Sequence, residues 1–147
     1  MNRNQKRLVA FAIAMFVAGF VVRAAIEPGS IARAQSGKRV FEIRTYTANE
    51  GKLADLNARF RNHTLRLFEK HGMTNVGYWT PQDAPLSGNT LIYIISHESR
   101  EAAKKSWDDF RNDADWTKAQ KESEANGKLV AKIESVFLDA TDYSPMK

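Results

Sequence analysis

A chain of 147 residues, 43% of them hydrophobic, is long enough to bury one core and too short to build several. The formal net charge of +5 does not call for a nucleic-acid partner, because residues 1–34 hold five basic side chains against one acidic, which leaves 17 of the 22 basic residues against 16 of the 17 acidic ones. The absence of cysteine excludes disulfides, thiolate metal sites and a cysteine nucleophile.

Met1 to Arg7 is basic, and residues 8–22 form an uncharged apolar run of 15. A comfortable membrane span needs about 20 residues. Small residues come next, with Ala32-Arg33-Ala34 ahead of Gln35. This is the layout of a secretory signal peptide over residues 1–34. A cut after Ala24, or no cut, is the alternative; uncut, residues 8–26 would anchor the chain with Arg23 snorkelling to the interface. The expectation is an exported chain, periplasmic or secreted, or else held to a membrane by its uncut leader. Residues 35–39 read as a polar linker into one domain at 40–145.

Val40 to Tyr46 alternates and is β-rich, with Phe41, Ile43 and Thr45 on one face and Val40, Glu42, Arg44 and Tyr46 on the other. A helix is predicted from Gly51 to His71, with Asn49 as N-cap and Gly72 as the residue that ends it. Leu53, Leu56, Phe60, His63 and Leu67 make its apolar stripe; Lys52, Asp55, Arg59, Arg66 and Lys70 fall on the opposite side. A second strand runs from Met73 to Thr80, and a turn-rich loop then leads to Asn89. Thr90 to Ser96 is the third strand: Leu91, Tyr93 and Ile95 face one way, Ile92 and Ile94 the other. Ser99 suits an N-cap for a helix with Ala103, Trp107 and Phe110 on one side. Asn112 to Asp115 breaks that helix, and a short further one runs from Trp116 to Asn126. The last strand, Ala131 to Ala140, sets Ile133, Ser135 and Phe137 against Glu134, Val136 and Leu138. Pro145 keeps the tail from extending it.

The order β-α-β-β-α-β defines an α+β, ferredoxin-like unit, an antiparallel four-stranded sheet with helices on one face. The third strand is apolar on both sides, and the helices cover only one. The other face would expose apolar surface on the order of several hundred Å², a size that marks an interaction site. A second copy of the chain is the expected cover, giving a homodimer.

The segments VFEIRTYT (40–47), EGKL (50–53), LFEKHGM (67–73), VGYW (76–79), DADW (113–116), SEANGKLV (123–130) and ATDYSP (140–145) together resemble the NIPSNAP family, a branch of the dimeric α/β-barrel superfamily. The resemblance spans residues 40–145. It implies a ferredoxin-like protomer whose sheet packs back to back against its twin's, and it implies no particular reaction.

His63, in the apolar stripe, is a candidate pocket imidazole for acid–base work, weighed against a core histidine with one satisfied hydrogen bond. Arg44 and Tyr46 share a strand face and are candidates to hold a carboxylate or other polar group, with Glu42 as partner, weighed against an Arg–Glu pair across the sheet or dimer interface. With His63 they are the catalytic candidates. Tyr78 and Trp79 are further ligand-binding candidates, on opposite faces. His71 belongs to a helix end and His97 reads as loop; the three histidines lack metal-ligand spacing, so no metal and no cofactor are predicted. Asp108, Asp109, Asp113 and Asp115 read as a solvated charge cluster. Two functions remain open: a module binding a small, partly apolar molecule, or a non-enzymatic scaffold that binds a protein partner at the cell envelope.

Overall fold

Alternation along each strand decides what the sheet can bury on either side. In the computed structural model, which describes residues 39–147, the strands are β1 (Val40–Ala48), β2 (Thr74–Trp79), β3 (Thr90–His97) and β4 (Val130–Leu138). The leader, residues 1–34, and the linker up to residue 38 lie outside the described residues. The sheet order is β2-β3-β1-β4, and all three neighbouring pairs are antiparallel. Arg44 lies opposite Tyr93 on one side and Ser135 on the other, and Ile43 lies opposite Ile94 and Val136. Glu42, Arg44 and Tyr46 therefore share a face with Tyr93, Ile95 and Ser135, and Ile43 shares the reverse with Ile92, Ile94 and Val136.

Helices cover the first of these faces. Between β1 and β2 the chain runs through α1 (Leu53–Arg59), a π-helical turn (Phe60–Thr64) and α2 (Leu65–Lys70); between β3 and β4 it runs through α3 (Arg100–Arg111) and α4 (Ala114–Ser123). The core joins Tyr46, Leu56, Phe60, Leu67, Phe68, Tyr93, Trp107 and Phe110. Its rings meet mostly edge to face, as their quadrupoles favour: Tyr46–Phe60 at 5.8 Å, Phe68–Trp107 at 5.4 Å, Phe60–Tyr93 at 5.1 Å. The expected βαββαβ, ferredoxin-like α+β fold is the one observed.

Local signals set most boundaries. Ser99 caps α3 by accepting from the Ala102 N–H at 3.1 Å. Gly72 ends α2 at φ +76°, a left-handed conformation in which a side chain is strained. Gly77 serves differently: a Cβ there would sit 2.5 Å from the Trp79 ring, so glycine lets the indole lie against the strand.

Four local expectations are corrected. Asn49 is not a helix cap; it ties β1 to the chain before β4, its amide donating to the Lys128 carbonyl at 2.7 Å, and Lys52 precedes α1 with no side-chain cap. The predicted first helix is one unbroken helical run, Leu53 to Lys70, but is not α-helical throughout. Bonding from i to i+5 in the π-helical turn takes up an additional residue and rotates the helix beyond it, so Thr64, not His63, occupies the inward position. His97 is not loop but the last residue of β3, wholly buried. Asp113 is not a solvated acid: 8% exposed, it caps α4 through the N–H groups of Asp115 and Trp116, and its other oxygen holds Lys70 and His71 at 2.7 Å each. Those partners, Lys70 first and His71 second, hold its carboxyl well below the usual range.

The centre of the sheet's reverse face is apolar, with Lys132 and Glu134 at its β4 edge. Val136 is 55% and Trp79 52% exposed there. The tail after β4 turns back over one corner only, where Phe41, Ile94 and Leu138 meet Ala140, Thr141 and Met146 around a space of about 210 Å³.

Candidate functional site

Glu42 is an acid placed on the helix-facing side of a central strand, 1% exposed. An unpartnered carboxylate there would cost several kcal/mol. Four side chains from four elements supply donors. Arg44 on β1 donates through Nη1 to Oε1 at 2.7 Å, Ser135 on β4 through Oγ to Oε1 at 2.6 Å, and Trp107 on α3 through Nε1 to Oε2 at 2.7 Å. His97 on β3 donates through Nε2 to Oε2 at 3.1 Å; the tautomer follows because a carboxylate only accepts. Burial pushes the Glu42 carboxyl up, but the bonds from His97, Ser135, Trp107 and Arg44 outweigh it and hold it down at about 2.

Arg44 is the counter-charge. Its guanidinium stacks 4.2 Å from the centre of the Trp107 ring and reaches the Tyr46 hydroxyl at 3.4 Å. Burial works against its charge, but Tyr46, Tyr93 and Glu42 raise its affinity for the proton above the ordinary value.

Tyr46 joins this network to a cavity. Between the helices and the β4 edge lies a space of about 400 Å³, within the range of small-molecule sites. Its walls are Tyr46 from β1, Phe60 and Thr64 from the π-helical turn, Phe68 from α2, Phe110 from α3 and Trp116 from α4. Arg59, Gln120, Glu124 and Lys128 supply polar groups. The π-helical turn supplies part of this wall through Phe60 and Thr64, directly after Arg59 at the end of α1. Such turns recur at functional sites.

Of the residues expected at a site, Tyr46 alone is among those lining the cavity. Arg44 stands behind it and is paired with Glu42 along the same strand, not with an acid across the sheet. His63 is half-buried and lies off the cavity wall, displaced by the π-helical turn. Tyr78 is on the helix side of β2, stacked on Tyr93 at 5.3 Å, and burial raises its hydroxyl pKa above the usual value. Trp79 is on the reverse face. Sequence reasoning missed Arg59, assigned to the solvent side of its helix, and missed the partners of Glu42. A lone acid among aromatic inward positions was the available signal: it requires buried donors. Among the described residues no three His, Asp or Glu side chains gather as a metal-holding group.

A βαββαβ protomer with helices on one sheet face is the fold of the dimeric α/β-barrel proteins. Residues 41–145 match the NIPSNAP family, and the chain belongs to it. An uncharacterized NIPSNAP-like domain protein from Burkholderia xenovorans is 15% identical, with a TM-score of 0.64 over 74% of this chain and 90% of that one. A NIPSNAP family protein from Agrobacterium tumefaciens is 20% identical, with a TM-score of 0.64 over 74% and 99%. SnoaB from Streptomyces nogalater, a cofactor-independent oxygenase, is 14% identical, with a TM-score of 0.51 over 74% and 99%. At these identities the likeness is one of fold. Among curated proteins nothing matches.

The Glu42 network carries a pH prediction. Its folded value of about 2 lies below the free value of 4.5, so between those values the unfolded chain binds more protons, and stability rises with pH across that window and is level above it. Glu42→Gln lacks this contribution. The stability difference between the parent and Glu42→Gln, measured by urea unfolding, should narrow by about 3 kcal/mol as pH falls from roughly 5 to 2. A difference that stays constant with pH would show that Glu42 is not held as an anion.

Proposed function

We propose that this protein is an exported small-molecule-binding barrel, working as a two-fold dimer, with one ligand site per protomer between sheet and helices. The observation that carries the reading is the unfilled aromatic cavity of about 400 Å³. A scaffold has no use for such a space, and leaving it unfilled forfeits packing contacts. The dimer is supported by the apolar reverse face of the sheet, where Ile43, Ile92, Ile94 and Val136 lie side by side. Burying them against a copy of themselves satisfies both protomers with one patch. Export is supported by the basic, apolar and small-residue segments of residues 1–34. Among the described residues no helix is long and apolar enough to cross a membrane. The oxygenase likeness assigns no reaction to this chain.

Three measurements test the parts separately. Calorimetric titration with 2-naphthol, a neutral flat probe, should show saturable binding that Gln120→Trp, at the cavity rim, weakens by roughly tenfold or more. Equal binding by parent and variant would remove the cavity as the site. Light scattering should give the mass of two chains for the parent and of one chain for Val136→Glu, which puts a charge on the apolar face. A parent that runs as a single chain at micromolar concentration overturns the dimer. Intact mass of protein from its own host should begin at Gln35; a retained Met1 in the membrane fraction would replace export by anchoring.

A further inference from the structure

Resting on the reading of the cavity as a small-molecule site, we infer that it selects a flat aromatic monoanion whose carboxylate docks on Arg59. Arg59 lines the cavity, is 4% exposed and stands beside an aromatic wall, its guanidinium 5.2 Å from the Trp116 ring centre. A buried guanidinium presents five donors and needs acceptors for them. Within the protein it finds the Glu124 carboxylate at 2.9 Å and a long contact to the Ser123 hydroxyl at 3.4 Å, both through Nη1, and its Nε has no partner. Donor capacity is left over on a side chain that lines the cavity.

Charge balance gives the valence. Arg59 and Lys128 contribute two positive charges to the wall, and Glu124 contributes one negative. Lys132 also borders the space, but its ammonium is held by Glu134 at 2.9 Å on the reverse face of the sheet. One uncompensated positive charge suits a monoanion; a phosphate dianion would require more. A planar carboxylate matches the fork of a guanidinium better than other anions of that charge. The remaining apolar surface is mostly rings: Tyr46, Phe60, Phe68, Phe110 and Trp116, with Val130 and Ile133 at the β4 side, border the space, which favours a flat aromatic body over a branched aliphatic one. Glu124, 23% exposed, competes with the ligand for Arg59 and can turn to water when displaced.

The competition makes the inference testable in both directions. By titration calorimetry at neutral pH, 2-naphthoate should bind the parent protein at least roughly tenfold tighter than its neutral isostere 2-naphthalenecarboxamide. Arg59→Met should abolish that preference while the carboxamide still binds. Glu124→Gln, which removes the competitor, should tighten naphthoate severalfold and leave the carboxamide unchanged, an outcome that a merely structural ion pair would not give. If Arg59→Met fails to fold, the Glu124→Gln arm decides. Equal binding of the two probes by the parent, or no gain for naphthoate in Glu124→Gln, overturns the anion site and leaves the cavity reading standing. Binding of neither probe overturns both.

Discussion

A carboxylate with no access to water governs this sheet. Glu42 accepts hydrogen bonds from β1, β3, β4 and α3 at once, and each donor points where it does because of strand alternation. Strand pairing repeats every two residues, so a slip of β4 by one position would turn Ser135 to the reverse face and bring Val136 among the helices. A slip of β3 would likewise remove His97. The desolvation cost of Glu42 is large; four donors, each charge-assisted at about 1.5–3 kcal/mol, are of the size needed to offset it. The register in which all four reach the carboxylate is the register observed.

That network divides the helix-facing side into two territories. Around Glu42 the space is filled: Arg44 lies flat on Trp107, and His97 is sealed behind it. Beyond Tyr46, toward the C-terminal helix and the start of β4, it is not. The π-helical turn sits at that boundary. Arg59, the last residue of α1, is buried and paired with Glu124, and the additional residue in the turn that follows gives the inward place to Thr64 and not to His63. The cavity is thus a consequence of helix geometry as much as of side-chain size.

The two faces of the sheet answer different requirements. The helix side combines aromatic packing with a buried ion pair and an unfilled space. The reverse side has an apolar centre built from Ile43, Ile92, Ile94 and Val136, bordered by the Lys132–Glu134 pair on β4, by the tail at Phe41 and by Trp79 lying over Gly77. The helix side and the reverse side of such a sheet need not share a residue, because alternate residues of the same strand serve them separately.

The sequence alone determined the order of elements, the two faces of β1, β3 and β4, and the caps at Ser99 and Gly72. All of these depend on spacing, and spacing is written in the chain. Only the tertiary structure decided which distant groups meet. His97, Trp107 and Ser135 lie 55, 65 and 93 residues from Glu42, and Glu124 lies 65 from Arg59. The π-helical turn belongs to the same class, since its extra residue has no sequence signature and is held by how α1 and α2 pack on the sheet. Local chemistry sets a side chain's face; only the folded chain sets its neighbour across the core, because that neighbour is brought there by elements with no knowledge of it in sequence.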